Sequence, residues 1–216
     1  KDFSCLKGFC PSFVTVEGGQ RKSAKKADAA RPDPFALAPL PEPALPSAAK
    51  AFGIVVAGIG GTGVITIGQL LGMAAHIEGK GIVTQDAGGL AQKGGSTWSH
   101  VQIADRDDAI HTTKVGTAEA DLVIACDALV AANKATMAVM RDGRTYVALN
   151  THGTPTAAFV SNPDWQFPQG QCETAVASAV GPGLVGGVDA DRLAVALVGD
   201  SIYTNPLMLG YAWQQG

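Results

Sequence analysis

The sequence predicts a three-layer α/β domain, a mostly parallel sheet with helices on both faces. Three observations carry that expectation. The apolar run Ile54-Val55-Val56-Ala57 stops at a glycine turn, Gly58 to Gly63, and passes into a helix-length stretch. Leu122 to Cys126 repeats the pattern, ending at Asp127 before an alanine-rich stretch. Strands that alternate with helices in this way need crossover connections, and crossovers make parallel neighbours.

Phe52 to Ala57 reads as a buried strand. Val64, Ile67, Leu70, Leu71, Ala74 and Ile77 recur at helical spacing, with further apolar residues around the helix, so this helix is expected to be largely buried. Gly81 to Gln85 suggests a second strand, and the alternation from Trp98 to Ile103 a third. Leu122 to Cys126 is a central strand, Asp127 the N-cap of a helix running through Met140, and Asp142-Gly143 a turn into a strand over Thr145 to Leu149. Cys172 to Val180 and Ala190 to Val198 read as helices, and Asn205-Pro206 opens a last one over Leu207 to Trp213.

The amino-terminal quarter is different in kind. Six of the twelve prolines fall between Pro32 and Pro46, and Arg21-Lys22 and Lys25-Lys26 form a basic stretch. Alanine and proline with few aromatics bury too little surface to fold, so residues 20–49 are expected to be an extended linker between an amino-terminal segment, residues 1–19, and the domain, residues 50–216. The first methionine is Met73. The chain therefore reads as a piece of something longer, truncated at its carboxyl end as well, where Leu207, Leu209, Tyr211 and Trp213 suggest a contact surface.

Charge and composition exclude some classes of function. Residues 1–50 hold eight basic and five acidic residues, and residues 51–216 hold eight and fourteen, so the folded part is acidic and nucleic acid is not expected as its partner. No apolar run is long enough to cross a bilayer, and the first residues lack the form of a signal peptide; a cytoplasmic location is expected. Cys5, Cys10, Cys126 and Cys172 are too few and too scattered for a disulfide scaffold, and Cys126 at a strand end reads as a buried structural thiol. His76, His100, His111 and His152 show no metal-ligand spacing, and neither Ser96 nor Ser201 sits in a nucleophile elbow.

The chemistry that the residues do suggest is anion binding. A strand, glycine turn and helix start bring backbone N–H groups toward a phosphate or carboxylate, and the helix dipole favours negative charge there. Gly58, Gly60, Gly61 and Gly63 are the candidates; the alternative is that glycine serves only close packing or a positive φ. A second glycine-rich loop runs from Asp86 to Ser96, where Gln92, Gly94, Gly95 and Ser96 could face the same crevice. Asp86 stands where a dinucleotide-binding unit places its ribose carboxylate, which keeps an NAD- or FAD-binding oxidoreductase domain open as an alternative.

The chain resembles the indolepyruvate ferredoxin oxidoreductases, in the long fused bacterial form of the 2-oxoacid:ferredoxin oxidoreductase family. The resemblance rests on Asp2-Phe3-Ser4-Cys5-Leu6-Lys7-Gly8-Phe9-Cys10-Pro11 and the residues through Gly18, the Gly58 to Gly63 turn, Gln92 to Ser96, and Gly199-Asp200-Ser201-Ile202 with Asn205-Pro206 and Met208-Leu209-Gly210. It implies thiamine-diphosphate-dependent oxidative decarboxylation of an arylpyruvate, acyl transfer to coenzyme A, and electron delivery through a 4Fe-4S cluster to ferredoxin. Residues 50–216 would then be the Rossmann-like gamma-type domain, and residues 1–19 the tail of the thiamine- and cluster-bearing part. Cys5 and Cys10 resemble cluster ligands. Implied partners are the other domains of the same enzyme, ferredoxin, the 2-oxoacid and, for the intact enzyme, further copies of itself. This portion is not expected to act alone, and a non-catalytic assembly module is the remaining alternative.

Overall fold

The computed structural model describes residues 17–19, 39–88, 95–153, 162, 164 and 166–215. The chain divides into residues 1–41 and the compact unit Glu42–Gly216. In the compact unit the element order is β1 (Phe52–Ile59), α1 (Val64–Ile77), β2 (Gly81–Gly88), β3 (Ser96–Ala104), β4 (Leu122–Ala125), α2 (Ala128–Ala131), α3 (Lys134–Met137), β5 (Tyr146–Asn150), α4 (Gln169–Val180), β6 (Val185–Val188), α5 (Ala190–Val198) and α6 (Thr204–Gln215).

The strands form one sheet in the order β2-β3-β1-β4-β5-β6. β1, β4, β5 and β6 pair in parallel, whereas β3 is antiparallel to both of its neighbours. Five strands thus share one direction and β3 alone is reversed. One face carries a core with Val55, Val123, Val147 and Val176, covered by α2 and α4; the other carries Val56, Ile67, Ile124 and Met208, covered by α1 and α6. The expected three-layer arrangement is the observed one.

Close packing explains several glycines. Gly68 lets α1 lie on β3, since an added Cβ would fall on Ser99 Oγ. Gly186 makes room for the Tyr146 and Tyr211 hydroxyls, and Gly187 for Thr151. Gly186-Gly187 also hides β6 from sequence reading, because adjacent glycines carry little strand propensity.

Three expectations need correction. The helix expected from Asp127 through Met140 is two short helices. Asp127 caps the first by accepting from Val130 N at 2.9 Å, but Asn133 Oδ1 then accepts from Thr136 N at 2.9 Å and starts a second. An asparagine with extended backbone and a side-chain cap ends one helix and opens the next. The α1 helix is also less buried than its apolar composition suggests. Val64, Ile67, Gly68 and Ala75 are buried, while Leu70, Met73 and Ile77 face outward, with Ile77 76% exposed. At the carboxyl end, Trp213 is exposed, while Leu209 and Tyr211 pack against the core. Cys172, met in a polar segment, faces inward from α4 and is buried.

Among the described residues, no helix is long and apolar enough to cross a membrane.

Candidate functional site

The β1 crossover runs through α1 toward β2 on one side, and the β4 crossover runs through α2 and α3 toward β5 on the other. The sheet order therefore reverses between β1 and β4. In open α/β sheets the crevice beyond the strand carboxyl ends at such a reversal is the usual ligand site. A cleft of about 550 Å³ lies there, walled by Gly61 to Gly63 and Thr66 on one side, Cys126 and Asp127 below, and Asp191 and the Asp200 to Pro206 segment opposite.

The glycine turn divides its labour. Gly58 is buried, and an added Cβ would lie 2.8 Å from Val64 Cγ2 and 3.0 Å from Cys126 Cβ, so its part is packing. Gly60 N donates to Gly95 O at 2.8 Å, which ties the two glycine bends together and takes that amide out of the donor set. Gly61 and Gly63 have φ of 86° and 97°, the left-handed region that glycine enters without strain. Gly63 is the N-cap of α1 and supplies no side-chain bond. The first bond of the helix is Ile67 N to Gly63 O at 3.2 Å. The amides of Val64, Ile65 and Thr66 precede it and have no acceptor among the described residues, which is the arrangement that favours an anion.

Gly95 and Ser96 sit beside this turn. Ser96 opens β3 opposite Ile59. Neither lines the cleft. Gln92, Gly94, Cys5 and Cys10 lie outside the described residues.

The opposite wall comes from residues that the sequence marked only as a helix start (Asn205-Pro206), as a serine outside any nucleophile elbow (Ser201) or for their resemblance, or did not mark at all. Asn205 Nδ2 donates to Thr62 O at 2.8 Å and approaches Thr62 Oγ1 at 3.3 Å, and Thr62 Oγ1 in turn donates to Ile59 O at 2.7 Å. Asn150 is a second hub: Nδ2 donates to Cys126 O at 3.0 Å and to Asp191 Oδ2 at 2.8 Å, while Oδ1 accepts from Ala190 N and His152 N. It fastens the end of β5 to the end of β4 and the start of α5. Nothing local in Leu149-Asn150-Thr151 marks it, because its four partners come from three separate segments.

Three carboxylates border the cleft. Asp127 caps α2, Asp191 accepts from Asn150, and Asp200 Oδ1 accepts from Ile202 N at 3.0 Å. Burial raises the Asp127 pKa above the usual carboxylate value, against the lowering effect of its backbone hydrogen bonds. Burial also pushes the Cys126 thiol up to about 12, which makes it an inert wall group. Among the described residues no cluster of three or more His, Cys, Asp or Glu side chains forms a metal site.

The insertion of β3 bears on dinucleotide binding. Asp86 ends up two strands away from β1, about 10 Å at the usual strand spacing, and its Oδ1 accepts from Ser99 Oγ at 2.6 Å. It does not line the cleft. The ribose-carboxylate role suggested by its spacing in sequence presupposes adjacent β1 and β2 strands, and here they are separated.

The family model of the pyruvate ferredoxin/flavodoxin oxidoreductases matches residues 53–216. This chain belongs to that family. The resemblance read from the sequence pointed to the same group of oxidoreductases. Among curated relatives it is similar to indolepyruvate oxidoreductase subunit IorB of Methanothermobacter thermautotrophicus, 29% identical over 74% of this chain and 77% of that protein. It is also similar to the IorB subunit of Archaeoglobus fulgidus, 36% identical over 45% of each chain. In fold it is similar to the 2-oxoglutarate:ferredoxin oxidoreductase of Magnetococcus marinus, a structure with 2-oxoglutarate, coenzyme A and succinyl-CoA bound, at a TM-score of 0.50 and 18% identity. That alignment covers 74% of this chain and 23% of the other.

Proposed function

We propose that this chain is part of an enzyme for oxidative decarboxylation of arylpyruvates, with indolepyruvate as the representative substrate, and that its cleft receives the anionic part of coenzyme A. In the reaction the carboxylate of the 2-oxoacid leaves as carbon dioxide, the acyl group joins the coenzyme A sulfur, and two electrons pass to ferredoxin. Thiamine diphosphate and the 4Fe-4S cluster supply the carbanion and electron-transfer chemistry in companion domains, with Cys5 and Cys10 as proposed cluster ligands. This chain contributes the coenzyme-binding wall, and we do not expect it to be active alone.

The observation that carries this reading is the uncapped start of α1. Three successive amides, Val64 to Thr66, lack an acceptor among the described residues at a helix start whose Gly63 and Thr66 line a cleft at the sheet reversal, beside glycines in left-handed conformation. The fit is one of donors: backbone N–H groups and the hydroxyl of Thr66 suit phosphate oxygens. The bordering carboxylates already accept hydrogen bonds within the fold and leave the helix start as the electropositive end.

Gly61→Val in the intact enzyme tests it. A β-branched residue at φ 86° is strained and places a side chain at the mouth of the cleft. Coenzyme A affinity is expected to fall at least about tenfold, a loss of about 1.4 kcal/mol. Unchanged affinity in a folded variant would remove the cleft as the coenzyme site.

A further inference from the structure

Asn205 is only 3% exposed, yet half of its amide has no partner among the described residues. Its Nδ2 faces Thr62 O at 2.8 Å. A carbonyl oxygen can only accept, so turning the amide over would set oxygen against oxygen, and the assignment is fixed by chemistry. The Oδ1 is therefore the free end, on a residue that lines the cleft. Among the described residues His100 Nδ1 alone is a fully buried side-chain polar atom without a partner, so the Asn205 oxygen is open to the cleft, where water or a bound ligand can donate to it. The amide also stands next to the uncapped helix start, because a Cβ on Gly63 would lie 3.9 Å from Asn205 Nδ2.

We propose that Asn205 reads the occupant of the cleft: Nδ2 holds the glycine turn in place, and Oδ1 accepts a hydrogen bond from an N–H group of the same ligand whose phosphate oxygens meet the α1 amides. This inference rests on the coenzyme reading of the cleft and adds a second requirement to it. The occupant is an anion that also presents an N–H donor, and a bare phosphate satisfies only half of the site. Coenzyme A offers such donors in two places, the amides of its pantetheine arm and the amino group of its adenine.

Calorimetric titration of the full chain distinguishes the outcomes. The probes are coenzyme A, inorganic pyrophosphate, 4′-phosphopantetheine and adenosine 3′,5′-bisphosphate. Asn205→Ala is expected to weaken coenzyme A about tenfold and pyrophosphate less than about twofold, the difference being one hydrogen bond. The loss should pass to phosphopantetheine or to the adenosine bisphosphate, and the one that inherits it carries the donor. Asn205→Asp keeps an acceptor oxygen and surrenders the bond to Thr62. Its coenzyme-to-pyrophosphate affinity ratio should stay near that of the wild type even if both affinities drop. Equal weakening of coenzyme A and pyrophosphate in N205A would reduce Asn205 to a clamp on the turn and overturn the proposal, as would an unchanged coenzyme affinity. If N205A does not fold, Asn205→Ser, whose hydroxyl falls short of the Oδ1 position, is judged by the same ratio. A wild-type chain that binds neither coenzyme A nor pyrophosphate would instead sink the coenzyme reading itself, a result separable from failure of the Asn205 proposal.

Discussion

Gly58 is the first glycine of the turn and the one whose role the structure changes most, so Gly58→Ala tests whether that position serves packing. The added Cβ meets Val64 Cγ2 at 2.8 Å and Cys126 Cβ at 3.0 Å, where carbon atoms in contact prefer about 3.5–4.0 Å. Val64 is buried and β-branched on a helix, so one rotamer dominates and it cannot swing aside. Cys126 follows directly on β4, with its own N–H held by Ala57 O at 2.8 Å. Relief must come from moving α1 away from the sheet, and overpacking of this kind costs about 1–3 kcal/mol. Val64→Ala alone should cost about 2 kcal/mol through lost burial and the cavity left behind. In the double variant the new methyl partly occupies that cavity, so the two losses should fall short of additivity by about 1 kcal/mol or more. Urea unfolding of the four proteins measures the cycle. A G58A variant as stable as the wild type, or strictly additive losses, would refute the packing role and return Gly58 to the candidates for ligand contact.

Further expectations follow from the other side of the cleft. Asn150→Ala removes four hydrogen bonds from a side chain only 2% exposed, and at about 0.5–1.5 kcal/mol each, with some relaxation, unfolding free energy should drop by about 3 kcal/mol. Asn150→Asp keeps both acceptor contacts but turns an oxygen toward Cys126 O and Asp191; its deficit at neutral pH should match or exceed that of N150A and shrink at acid pH, when the new carboxyl can donate, as paired unfolding curves would show. Asp127 has a raised pKa, so the folded state holds its proton more tightly than the unfolded state, and its burial penalty grows as pH rises from the ordinary carboxylate value through the raised one. Asp127→Asn keeps an acceptor for Val130 N and removes the charge, so its stability relative to the wild type should increase with pH across that window. The same charge borders the cleft, so D127N should bind pyrophosphate about two- to threefold more tightly at neutral pH, and the gap should close as acid neutralises the native residue in titrations of both proteins.

Where the information for each feature resides explains what the sequence made legible. The strand and helix alternation was readable because burial on both faces of a parallel sheet leaves unbroken apolar runs, as in Ile54 to Ala57 and Leu122 to Ala125. The glycine turn that walls the cleft was readable for the same reason of locality: a turn between a strand and a helix is written in six consecutive residues. β6 was not, since the steric need for Gly186 comes from Tyr146 and Tyr211, one forty residues earlier and one twenty-five residues later. The acidic and amide side of the cleft escaped for a related reason. Asn205 meets Thr62 across 143 residues, and Asn150 joins segments that no spacing rule connects. Asp86 shows the opposite failure, a local spacing that points to a dinucleotide and loses its meaning once β3 enters between β1 and β2. The same insertion has a positive consequence. Because β3 runs antiparallel beside β1, its first residues return to the carboxyl end of β1, and Gly95 O can take the Gly60 amide. That bond fixes the front of the turn while Asn205 fixes its back, so the amides of Val64 to Thr66 are aimed by contacts from two distant parts of the chain. A preorganised anion site needs such bracing, since donors that must first be ordered give up part of their binding free energy to conformational entropy.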